Sequence, residues 1–179
     1  MDEFMPSQRI LEEICSDLTP IRQYFYIPTA LSKRKMEETC RGITCAVSNQ
    51  IAEYYKWGVD IIENMETQKM VLIFDALLNS IFHGSKNVDP VSYGLFIGDK
   101  GVCHGFRDSG DYFKSEEIKR LFENKIPLTE FGIAEPGISG HSYGVRGYIY
   151  GYSDFIEVDT SKGVLYCVQL KKSLDRKNS

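Results

Sequence analysis

Asp75 and Asn79 stand four residues apart in VLIFDALLNSIFHGS (71–85), a run otherwise almost wholly apolar. On a helix that spacing puts a carboxylate and an amide on one face, one turn apart. Phe74, Leu77, Leu78, Ile81 and Phe82 leave them only a narrow polar stripe, and the run closes in His83-Gly84. Such a stripe is either the solvated edge of an amphipathic helix or the polar lining of a site. A second set of groups ends an apolar strand pattern, FRDSGDYF (106–113), which delivers Asp108 and then Gly110. Two other patterns name specific chemistry. GHSYG (140–144) has the spacing of a serine nucleophile elbow, a motif that needs a strand before the serine and a later histidine. The preceding AEPGIS is no strand and no histidine follows His141, so this chemistry is set aside. The three histidines with Cys103 raise the question of zinc. Cys103 and His104 are adjacent on a strand pattern and face opposite sides, and no paired ligand spacing exists. His83, at a helix end, suits a cap, where a cation is favoured, better than a metal.

These groups need elements to hold them. Residues 6–18 carry Ile10, Leu11, Ile14 and Leu18 at helical period. YFYIPTAL (24–31) is aromatic, is stopped by Pro28, and reads as a strand or extended segment. From Ser32 to about Lys56, Met36, Cys40, Ile43, Val47, Ile51 and Tyr54 again step by three and four, and Trp57-Gly58 ends the pattern. A third helix is expected over 67–83, stopped by Gly84. Strand patterns follow at 92–97, 101–107, 156–158 and 164–170, with IGDKG (97–101) and TSKG (160–163) as hairpin turns. Between the hairpins lies a Gly- and Pro-containing loop region, 111–143, with a short amphipathic helix near 115–122. Tyr148, Tyr150 and Tyr152 alternate in a way that fits either a helix or a strand. Helices followed by an antiparallel-looking sheet imply an α+β sandwich. Residues 173–179 are polar and are expected to fray.

Composition narrows the function classes. With 179 residues, 42% hydrophobic and 26% charged, the chain fits one soluble domain with a full core. A formal net charge of −4 does not suggest a nucleic-acid binder. The cysteines (Cys15, Cys40, Cys45, Cys103, Cys167) are scattered and odd in number, which reads as reduced thiols. The start, Met1-Asp2-Glu3, is acidic where a targeting peptide is basic, and no apolar run reaches membrane-span length. A cytoplasmic protein is the expectation, with neither nucleic acid nor membrane as partner.

Taken in order, Asp75, Asn79, His83-Gly84, then Asp108-Ser109-Gly110, then the glycines Gly144 and Gly147 resemble the motifs of the GHKL nucleotide-binding superfamily. The lead-in FYIPTALSKRKMEETCRGI and the small size look most like its anti-sigma factor kinase branch. The resemblance spans roughly residues 24–171. It implies a Bergerat-type two-layer α/β sandwich, with helices packed on a mixed, largely antiparallel sheet. The division it implies is an N-terminal helical extension (1–23), an ATP-binding domain (24–172) and a polar tail (173–179). ATP and Mg²⁺ are the implied ligands. Asn79 would be a hard oxygen ligand for Mg²⁺, and Asp75 would orient or deprotonate the attacking water or hydroxyl. His83 belongs to the first motif. Asp108 would accept a hydrogen bond from the adenine amino group, with Gly110 letting the backbone pass close to the base. Gly144 and Gly147 would offer backbone N–H groups to the phosphates, with Arg146 beside them. The implied activity is ATP hydrolysis or phosphorylation of a regulatory protein partner, and dimers are common in that branch. Three departures stand out: the acid is Asp75 where the family usually has Glu, Tyr112 replaces the second glycine of Asp-x-Gly-x-Gly, and Tyr143, Val145 and Arg146 interrupt the last motif's glycines. They allow a second reading, a regulator of the same fold that binds a protein partner without turnover.

Overall fold

The structure is a computed structural model, described here for residues 4–28, 30–57, 70–85, 89–126 and 149–176. Five strands form one sheet in the order β1-β2-β3-β5-β4: β1 (Ile21–Ile27), β2 (Val91–Ile97), β3 (Gly101–Arg107), β4 (Phe155–Asp159) and β5 (Val164–Leu170). All four pairings are antiparallel, so the mixed character expected from the resemblance is not seen among the described strands. The two hairpins fix this. Gly98 N–H donates to Gly101 O in the first turn, and Gly163 (φ +65) supplies the left-handed residue of the second.

Alternation divides the sheet into two apolar faces. Val91, Tyr93, Leu95, Ile97, Val102, Phe106, Ile156, Val158, Leu165 and Cys167 point to one side, where the main helices pack. These are α2 (Lys33–Tyr55) and a helix, α3, made of Met70–Phe74, Asp75–Asn79 and Ser80–Gly84. α2 opens on Ser32, whose hydroxyl accepts from Lys35 N–H. It ends on a left-handed Lys56 (φ 55), with Trp57 N–H reaching back to Ala52 O. A short helix, α4 (Glu116–Glu123), follows a 3₁₀ turn (Tyr112–Lys114) and opens on Ser115. Residues 149–152 are helical, which settles the tyrosine alternation: Tyr150 packs edge-on against Phe122 at 5.8 Å.

The other face is covered by the N-terminal segment and α1 (Gln8–Ile14), with Phe4, Ile10 and Ile14 buried against Phe96, Cys103, Val164, Tyr166 and Val168. Full burial of Ile10 and Ile14 contributes about 1.5–3 kcal/mol each. Gly94 and Gly105 are directly paired across β2 and β3, and the Phe4 ring fills the slot they leave. α1 is shorter than the 6–18 expectation. Ser16 N–H and hydroxyl both go to Asp99, and Thr19 N–H goes to the Asp17 carboxylate, so the chain leaves the helix at Cys15. The polar tail also differs from expectation, because Lys171–Arg176 form a helix, α5, with Leu174 buried. Asp154 accepts from both Leu170 N–H and the Ser173 hydroxyl at its start.

A polar chain runs through the helical face. Tyr93 Oη lies 2.8 Å from His104 Nδ1, His104 Nε2 lies 3.2 Å from Gln169 Oε1, and Gln169 Nε2 donates to Tyr152 O. The arrangement that satisfies every group has Tyr93 donating to Nδ1 and His104 donating through Nε2. His104 and Cys103 point to opposite faces, as strand alternation requires.

Candidate functional site

α3 is not a uniform helix. Its middle, Asp75–Asn79, is α-helical, while Met70–Phe74 and Ser80–Gly84 are wider π turns. Ser85 N–H accordingly donates to Ser80 O, five residues back, at 2.8 Å. Wide turns of this kind recur at functional sites because they re-aim side chains that a regular helix would place elsewhere. Leu72, Ile73, Ala76, Leu77 and Ile81 are buried against the sheet and α2, and this anchors the helix. Asp75 and Asn79 are half-buried on the α-helical turn between the two wide ones.

The second turn meets the end of β3. Asp108 is almost fully buried there, accepting from Gly110 N–H at 2.9 Å and from the Ser80 hydroxyl. Next to it, Ser109 N–H donates to the Ser85 hydroxyl at 3.5 Å. A Cβ at Gly84 would collide with the Asp108 carboxylate. The helix ends at Gly84 as expected, but Gly84 has no positive φ, so it is glycine here for space. At Gly110 a Cβ would press on Gly84 O at 2.9 Å. The Gly84 and Gly110 backbones are therefore packed close together, with the Asp108 carboxylate against both.

Burial raises the Asp108 carboxyl above the ordinary carboxylate range, while the Gly110 N–H, the Ser80 hydroxyl and the charge of Lys114 pull the other way. The site thus holds a desolvated carboxyl at the foot of a helix carrying a second carboxylate and an amide. Chemically, it can accept hydrogen bonds from a neutral or cationic donor at Asp108. At the Asp75–Asn79 turn it offers a base and a hard oxygen ligand.

Tyr112, where the resemblance expects glycine, is 43% exposed, with its ring edge-on to Phe113 and Phe122. It leans on α4 and does not enter the Gly84–Gly110 contact. Of the residues singled out from the sequence, Asp108 and Gly110 meet the helix of Asp75 and Asn79. The His83 side chain and Gly144, Arg146 and Gly147 lie outside the described residues. Sequence reasoning missed Ser80 and Ser85. The signal available was two small hydroxyl residues flanking the His-Gly pair, each placed to receive the strand end. Among the described residues no three His, Cys, Asp or Glu converge on a metal-sized space, and no helix is long and apolar enough to cross a membrane. Neither the models of known protein families nor the curated proteins include a match to this chain.

Proposed function

We propose that this chain is a Bergerat-type nucleotide-binding domain that takes ATP with Mg²⁺ and hydrolyses it or passes the γ-phosphoryl group to a hydroxyl of a regulatory protein partner. The observation that carries the reading is the contact of Asp108 with Ser80 and Gly84. It joins the strand-end motif to the helix of Asp75 and Asn79, as one ligand pocket would need. Asp108 is the hydrogen-bond acceptor for the adenine amino group, and Gly110 keeps the backbone thin beneath the base. Asn79 contributes one oxygen to Mg²⁺, which keeps most of its ligands as water and phosphate. Asp75 acts as the base. His83, Gly144, Arg146 and Gly147 retain the phosphate-side roles that the resemblance implies.

The test is calorimetric titration with ATP and Mg²⁺, followed by phosphate release. Asn79→Ala is expected to remove the Mg²⁺-dependent part of binding, and Asp75→Ala to spare binding while abolishing turnover. A folded protein that gives no heat with ATP overturns the reading.

A second reading rests on Tyr112, which stands exposed beside the Asp108 turn where the family pattern has glycine. In it the chain is a regulator that binds a protein partner, with or without nucleotide, and does not turn over. Binding without phosphate release in the same titration selects this reading.

A further inference from the structure

The two edges of the sheet are treated very differently. At the β4 edge, the Glu123 carboxylate takes the outward Val158 N–H at 3.0 Å, and Glu157 and Asp159 add charge. Those devices blunt an edge against strand addition. β1, at the other edge of the described strands, is plainer: its register with β2 runs unbroken over seven residues, and the strand holds no proline, no bulge and a single charge, Arg22. Ile21 is 45% exposed and Tyr26 is 72% exposed.

The sequence of this edge is symmetric in part. Pro20-Ile21-Arg22-Gln23-Tyr24-Phe25-Tyr26-Ile27-Pro28 reads alike in both directions at its prolines, isoleucines and centre, with Tyr24 as the pivot. An antiparallel partner related by a two-fold axis at Tyr24 would set Ile21 against Ile27, Gln23 against Phe25 and Arg22 against Tyr26. The prolines, which cannot donate to a ladder, would fall just outside it on both sides. Arg22 and Tyr26 share the face opposite the main helices with Tyr24, so each exposed tyrosine ring would receive a guanidinium from the other copy.

We propose that β1 is an isologous docking edge for a second copy of this chain, joining two five-stranded sheets into one across a two-fold axis at Tyr24. The inference does not depend on the nucleotide reading. A single pair of strands places it with the weak interfaces, those burying under about 1,200 Å², so monomer and dimer exchange with concentration.

Sedimentation velocity on the full chain over a wide concentration series tests it, and a reversible shift to dimer is expected. Tyr26→Lys sets like charges across the axis at Arg22 and is expected to give monomer at every concentration. Far-UV circular dichroism on this exposed-site variant checks the fold. Adding Arg22→Glu to Tyr26→Lys is expected to restore the dimer through a Glu–Lys pair between copies. Within one chain these positions lie about 13 Å apart along the strand and cannot pair. A monomeric parent, a Tyr26→Lys protein that still dimerises, or a double variant that stays monomeric would each overturn the proposal.

Discussion

Gly84 and Asp108, 24 residues apart in sequence, share one volume: the carboxylate occupies the space that any side chain at residue 84 would need. The helix end and the strand end are thus fitted to each other through the absence of a methyl group. Gly84→Ala is expected to destabilise the fold by about 1–3 kcal/mol, the usual cost of overpacking a tight contact. Asp108→Ala should recover most of that loss in the double variant, because the obstructing carboxylate is gone. Urea denaturation of both single variants and the double measures the coupling.

Asp108 also sets a pH dependence of known sign. Its folded pKa is raised, with desolvation the leading cause, so the folded state holds its proton more tightly than the unfolded chain. Stability from this group is therefore gained as pH falls through the window between the ordinary Asp value and the raised one, and is lost as pH rises through it. Asp108→Asn keeps the acceptor for Gly110 N–H and removes the titration. Its thermal midpoint should match or exceed the parent's at neutral pH and should lose that advantage on acidification. If the proposed role is right, the same variant also loses ATP affinity at neutral pH.

The Tyr93–His104–Gln169 chain should behave as a coupled unit. His104→Leu leaves the buried Tyr93 hydroxyl and the Gln169 oxygen without their partners, at about 1–3 kcal/mol per unsatisfied group. Tyr93→Phe on its own is costly too, since it takes the donor from Nδ1. In the His104→Leu background the same change should cost almost nothing, because the hydroxyl it removes is already orphaned. Chemical denaturation of the parent, the two single variants and the double tests the difference.

Thiol chemistry should be selective. Burial raises the Cys15 and Cys103 thiols and pushes Cys40 and Cys167 up to about 12, while Cys45, half-buried on α2, is the most accessible of the five. A disulfide reagent on the native protein should label Cys45 first, and the other four only after denaturation. Peptide mapping identifies the site.

Much of this architecture was legible in the sequence because local signals agreed with it. The serines before α1, α2 and α4 cap those helices, and Gly163 has the positive φ that a hairpin turn needs. Other features had no local signature. Residues 8–14 are amphipathic, and an apolar stripe does not say whether it will cover its own sheet or another subunit. The structure turns Ile10 and Ile14 onto the sheet. Ser80 and Ser85 look neutral inside a helix pattern, and only the docking of Asp108 and Ser109 gives them a task. The wide turns of α3 had no signature in the helix pattern either; the second one meets Asp108 and Ser109, residues distant in sequence. Asp75 and Asn79 on one turn, and Asp108 closing the strand, follow from spacing alone.

The ring of Phe4 rests on the Gly94–Gly105 pair, and the next carbonyl, of Met5, is held by the Tyr166 hydroxyl at 3.1 Å. Each of those contacts joins the opening residues to strands made much later in synthesis. Phe4, Ile10 and Ile14 therefore lack their full cover until β5, which supplies Val164, Tyr166 and Val168, has been made. Cutting the protein ahead of Ser7 would remove the Phe4 and Met5 contacts and open that face of the sheet.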